Sequence, residues 1–175
     1  MAINLKKTGG LSANGVKLLC YGQAGAGKTS LIRTLPNPVV LSAEGGLLSI
    51  QDANLPYIEI ADMDDLMEAF AWCKSSTEAT GFESVALDSI SEVAEVVLQH
   101  ELRKNKDGRA AYGELNTTMQ ELIRAFRDLP GKHVYMSAKL EKSQDEMGKL
   151  LYNPGMPGKS LTQGLPYFFD EVLAL

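Results

Sequence analysis

The chain has 175 residues, 45% of them apolar and 22% charged, with a formal net charge of −5. That balance fits a folded protein long enough to bury a core in one domain, and it argues against a disordered segment or a simple polycationic nucleic-acid binder. Two cysteines (Cys20, Cys73) and two isolated histidines (His100, His133) exclude a disulfide framework and a structural zinc site, and the apolar runs fall short of the ~18 residues of a membrane span.

The whole chain, 1–175, reads as a single domain. Residues 1–14 form an N-terminal extension with charge but no apolar stretch behind it, so no signal peptide is expected and the location is cytoplasmic. Charge is unevenly spread. Residues 61–100 hold nine acids and one base, a net −8, which leaves +3 on the other 135 residues. An acidic total therefore still permits contact with a phosphate backbone.

The first expected strand is Val16–Tyr21. It leads into Gly22-Gln23-Ala24-Gly25-Ala26-Gly27-Lys28-Thr29, which fits G-x-x-x-x-G-K-[ST] at every fixed position, and Leu31 and Ile32 then follow at helical spacing. Each residue type has a physical reason. Glycines let backbone N–H groups curl around phosphate oxygens, and a helix start adds a favourable dipole. Lys28 neutralises the β- and γ-phosphates, and the Thr29 hydroxyl holds Mg²⁺. The expected nucleotide-binding segment is therefore Gly22 to Ser30. A dinucleotide fingerprint fails because Ser30 stands where a glycine is required. Gly158-Lys159-Ser160 is no second phosphate loop, since Asn153 occupies the position of its first glycine.

Downstream, Pro38–Ser42 is a second strand, and Ala43-Glu44 follows it. At the carboxyl end of a parallel strand Glu44 faces the nucleotide crevice, where a carboxylate can polarise a water for attack on the γ-phosphate; the other reading is a solvated loop glutamate. Tyr57–Ile60 is a third strand. Behind an Asp62 cap, Met63, Leu66, Met67 and Phe70 mark a helix. Ser84–Asp88 is an apolar strand ending on an acid, suited to hold Mg²⁺ through water, with helix capping as the alternative for Asp88. Ile90, Val93, Ala94 and Val97 mark the next helix, and Leu115, Met119, Leu122, Ile123 and Phe126 another that Pro130-Gly131 closes.

Between those helices, Glu101–Leu115 reads as a loop with Arg103, Lys104, Lys106 and Arg109, a flexible Gly108, and Tyr112 as a stacking face. Such a mixture suits single strands, where cations track phosphates and bases stack on aromatics. A solvated surface loop, with Tyr112 at the edge of the core, is the plain alternative. The strand His133–Ala138 ends at Lys139, either a sensor of the γ-phosphate or an ordinary strand-end lysine. Residues 139–165 form a loop and hairpin region whose Lys142 and Lys149 are further candidates for DNA contact. The terminal run Val172-Leu173-Ala174-Leu175 fits an edge strand or a tail cut short. The alternation of strands and helices predicts an α/β fold, a mostly parallel sheet with helices on both faces and a C-terminal hairpin region.

On these elements the sequence resembles the RecA/RadA-type recombinase core, and more closely the minimal phage-encoded members of that group. The resemblance rests on the phosphate loop, on Ala43-Glu44, on Leu87-Asp88-Ser89, and on Gly108-Arg109-Ala110-Ala111-Tyr112-Gly113-Glu114-Leu115-Asn116, and it covers about residues 15–140. It implies a RecA-like P-loop NTPase core that binds ATP and Mg²⁺, with the catalytic glutamate at Glu44 and with loops after the Asp88 and Met136 strands facing single-stranded DNA. It further implies recombination of the single-strand annealing type beside a single-strand DNA-binding protein, a possible homo-oligomer, and the host cytoplasm if phage-encoded. The chain departs from the full-length pattern in showing no N-terminal DNA-binding domain and no clear oligomerisation segment beyond Met1–Leu11. Two alternatives stand beside this reading: a P-loop ATPase for remodelling or packaging without direct DNA-loop contacts, and a nucleotide-gated DNA-binding module with negligible turnover.

Overall fold

A computed structural model of the chain describes residues 15–175, so the extension over 1–14 lies outside the described residues. The elements run β1 (Lys17–Gly22), α1 (Lys28–Leu31), β2 (Pro38–Ser42), β3 (Tyr57–Glu59), α2 (Met63–Ser75), β4 (Ser84–Asp88), α3 (Ile90–Lys104), α4 (Gly108–Arg127), β5 (His133–Gln144), β6 (Leu150–Gly155), α5 (Lys159–Gly164) and β7 (Glu171–Ala174). Short 3₁₀ turns fill Ile32–Thr34, Leu47–Ala53, Glu78–Gly81 and Leu165–Phe168. The strands form one sheet in the order β3-β2-β4-β5-β1-β7, with β6 joined to β5 off that path. All pairs are parallel except β5–β6. The terminal apolar run is thus the edge strand β7, paired with β1 from Leu18↔Glu171 to Tyr21↔Ala174.

Strand alternation sorts the core onto two faces. Leu19, Leu41, Leu87 and Met136 point to the side where α2, α3 and α4 bury Leu66, Val93, Val97, Leu115, Met119 and Ile123. Cys20, Val40, Ala86 and Tyr135 point to the other, which is covered by Ile32, Ile50, Leu31 and Leu47. Both faces are covered, as an apolar parallel sheet requires, but unequally. The helix after the phosphate loop is only four residues long. Pro36 explains the stop: Leu35 before it is extended, with φ −73° and ψ 144°.

Strand β1 shifts by one residue and β3 ends one residue early, while two elements run well beyond the sequence reading. Helix α4 begins at Gly108 rather than near Leu115, because Asp107 caps it by accepting from the Arg109 N–H at 2.9 Å. The supposed loop over 101–115 is therefore the end of α3, a three-residue turn and the start of α4. Strand β5 continues past Ala138 to Gln144 and folds back as β6. Asp145 makes that turn: its carboxylate accepts from the Met147 and Lys149 N–H groups at 2.9 and 2.8 Å, and Gly148 supplies a φ of +78°. Both thiols are buried and free, and burial pushes Cys73 up to about 11. Among the described residues no helix is long and apolar enough to cross a membrane.

The start of α2 is fixed by a reciprocal cap. Asp62 accepts from Asp64 and Asp65 N–H, at 2.9 and 3.0 Å, while the Asp65 carboxylate reaches back to the Ala61 and Asp62 N–H groups. Asp62→Ala is expected to cost about 1 kcal/mol of stability, read from the urea unfolding midpoint; an unchanged midpoint would show the cap to be idle.

Candidate nucleotide site

Parallel register brings the carboxyl ends of β1, β2 and β4 beside the middle of β5. Ser42 pairs with Asp88 across β2–β4, and Gly22 pairs with Lys139 across β1–β5. The residues picked from sequence at 22–30, 44, 88 and 139 therefore meet at one end of the sheet. The strand that separates the phosphate-loop strand β1 from the acidic strand β4 is β5.

The loop from Gly22 to Lys28 turns tightly, with the Ala26 N–H donating to the Gln23 carbonyl at 3.2 Å. Gly25 and Gly27 lie at φ +78° and +98°, where a side chain would be strained. Lys28 is 9% exposed, and its ammonium folds back on its own loop, donating to the Gly22 and Gln23 carbonyls at 3.0 and 2.9 Å. Gln23, Ala24, Gly25 and Ala26 are exposed. A cavity of about 300 Å³ opens against Ala24, Gly25, Gly27, Lys28, Thr29 and Ser30, and is lined as well by Glu44, Gly46 and Ser49.

Asp88 is 1% exposed, and both carboxylate oxygens have hydroxyl donors. Thr29 Oγ1 donates to Oδ2 at 2.8 Å, and Ser137 Oγ donates to Oδ1. Capping of α3 falls to the next residue, Ser89, whose hydroxyl accepts from the Glu92 N–H. The Asp88 carbonyl accepts from the Ala43 and Glu44 N–H groups at 2.8 and 3.3 Å, which fixes the loop that presents Glu44. Glu44 itself is exposed at the cavity wall.

These residues fit the groups that the motif implies. An open concavity lined by glycines and a lysine suits a triphosphate, and a hydroxyl in contact with a buried carboxylate is the donor pair that Mg²⁺ favours. Thr29 and, through water, Asp88 would hold Mg²⁺, which when bound neutralises charge on phosphate oxygens.

Lys139 lies one register step from the loop, but its ammonium is paired with Glu92 at the start of α3, and that carboxylate holds it above its ordinary pKa. Its backbone N–H donates to Ser91 Oγ at 2.9 Å, and Ser91 in turn donates to the Gly155 carbonyl at 2.6 Å. The start of α3 is thereby stitched to the β5–β6 hairpin. Arg103 and Lys104 stand at the far end of α3, Lys106 in the turn, and Arg109 and Tyr112 at the start of α4, all of them exposed. At 1.5 Å per residue, Lys104 is roughly 21 Å along the helix axis from Ile90. They form a basic tip remote from the cavity, diluted by Asp107 and by Glu101, which lies 3.9 Å from Lys104. Lys142 sits over the Tyr152 ring at 5.7 Å on the hairpin, and Lys149 flanks its turn.

Sequence reasoning missed Ser137, Tyr135 and Ser91. The signal was present: a tyrosine and a serine two residues apart inside an otherwise apolar strand need buried hydrogen-bond partners.

Comparison with known proteins agrees with this geometry. A family model described as an AAA domain matches residues 14–175, nearly the whole chain. No curated protein matches it. The chain thus belongs to the AAA-domain family of P-loop ATPases.

Proposed function

We propose that this P-loop ATPase hydrolyses ATP with Mg²⁺ under stimulation by single-stranded DNA, in recombination of the phage single-strand annealing type. The observation behind the DNA assignment is the exposed basic tip of Arg103 and Lys104 at the end of α3, which starts two residues after Asp88, with Lys106 in the turn and Arg109 on α4. Helix α3 thus connects the proposed Mg²⁺ carboxylate to Arg103 and Lys104, and α4 carries Arg109 and Tyr112, whose ring would offer a stacking face. Lys142 and Lys149 on the hairpin are secondary contacts, and the hairpin is tied to the same helix through Ser91. A single-strand DNA-binding protein and further copies of the chain are the proposed partners, in the cytoplasm.

In hydrolysis Lys28 leaves its loop carbonyls for the phosphates, and Glu44 orients and polarises the attacking water. Lys139 exchanges Glu92 for the γ-phosphate, reporting its presence to α3 and the hairpin. A second reading, favoured by the AAA-domain match, is an ATPase for remodelling or packaging that makes no direct DNA contact.

Lys28→Ala is expected to abolish tight binding of ATP·Mg²⁺ in calorimetric titration; equal affinity in the folded variant would overturn the phosphate-site assignment. Glu44→Gln keeps size and hydrogen-bonding capacity but loses the charge, so phosphate release should fall by about 10²–10⁴ with ATP binding retained. An unchanged rate would leave Glu44 a loop residue. For DNA, changing Arg103, Lys104, Lys106 and Arg109 together to alanine should weaken single-strand binding for all sequences alike. Its log–log salt slope should flatten by about 0.7 per lost phosphate contact. Unaltered affinity and slope would move the reading to remodelling.

A further inference from the structure

Helix α1 is too short to satisfy its own first carbonyl in the usual way. The Ile32 N–H, which would reach Lys28 in a continuing α-helix, turns instead to the Thr29 and Ser30 carbonyls as the chain tightens into a 3₁₀ turn. The Lys28 carbonyl is met from outside the helix: the Tyr135 hydroxyl donates to it at 2.7 Å. Tyr135 is 1% exposed and packed among Cys20, Ile32, Val40, Ile50 and Ala86, so the donor reaches Lys28 from a fixed wall. Burial raises the hydroxyl well above its ordinary pKa, which keeps it a neutral donor.

Two residues further along the same face of β5, Ser137 donates to Asp88. One strand therefore holds both halves of the site, the lysine backbone through Tyr135 and the carboxylate through Ser137. We propose that Tyr135 is a positioning residue for the phosphate loop, holding the Lys28 carbonyl so that the Lys28 ammonium and Thr29 hydroxyl are presented together to a triphosphate. This rests on the nucleotide-binding reading of the same cavity. Tyr135 does not touch the nucleotide; it acts through the Lys28 main chain.

The test is Tyr135→Phe, which keeps the ring and removes only the hydroxyl. It should weaken ATP·Mg²⁺ binding by about tenfold, the effect of a buried carbonyl losing its donor, in calorimetric titration of the full chain. Ile123→Val, a trimming of the opposite core face, is the control for general loss of stability and should leave affinity unchanged. Hydrogen exchange gives a second, local reading: amides of Thr29–Ile32 should lose protection in Tyr135→Phe while those of β4 keep theirs. Wild-type affinity and exchange in Tyr135→Phe, or an equal loss of affinity in Ile123→Val, would overturn the inference while Lys28→Ala still abolishes binding. If the wild-type chain itself fails to bind ATP·Mg²⁺, the nucleotide reading falls and the inference falls with it.

Discussion

Asp88 is an acid at the end of a fully buried strand, in a position where a carboxylate without partners would be strongly destabilising. Both of its oxygens are met by hydroxyls, Thr29 from the phosphate loop and Ser137 from β5. These two contacts lock three segments that are distant in sequence into one geometry, and the Asp88 carbonyl adds a fourth by holding the Glu44 loop. The parallel register makes this possible, because it brings the ends of β1, β2 and β4 beside the middle of β5. Without that alignment the phosphate loop would be a glycine-rich turn with a lysine in it.

Among the described residues the sheet has a heavily covered face and a lightly covered one. Long helices α2, α3 and α4 seal one side and supply most of the apolar burial. Among the described residues, the other side carries α1 and short 3₁₀ turns, and the cavity beside Lys28 and Thr29 lies open. Thin cover leaves backbone groups that a longer helix would have satisfied internally. Tyr135 on β5 takes over that task for the Lys28 carbonyl, while Ser137 on the same strand meets the Asp88 carboxylate.

Much of this was legible in the sequence. The strands Pro38–Ser42 and Ser84–Asp88 have the boundaries read from their apolar runs, and the phosphate loop, Glu44 and Asp88, each read as just past or at a strand end, lie together at one end of the sheet. Local signals were misread where two patterns overlapped. Gly108 looked like a flexible loop residue, yet Ala111 continues the apolar period of Leu115 and Met119 backwards, and Asp107 is a cap. The polar run from Lys139 hid the second half of β5, because a hairpin with both faces largely exposed has no apolar alternation to display. The pairing of Lys139 with Glu92 and the reach of Tyr135 to Lys28 depend on contacts more than 40 residues apart, which no local pattern encodes.

We propose that Asp88, the phosphate loop and the basic tip between α3 and α4 work as one ATPase coupled to single strands. It is tested most directly by phosphate release from the wild-type chain at saturating ATP and Mg²⁺, measured across a titration with single-stranded DNA. The account predicts release that depends on Mg²⁺ and rises with DNA to a plateau. Release that stays flat across the titration, while ATP binding is intact, would contradict it.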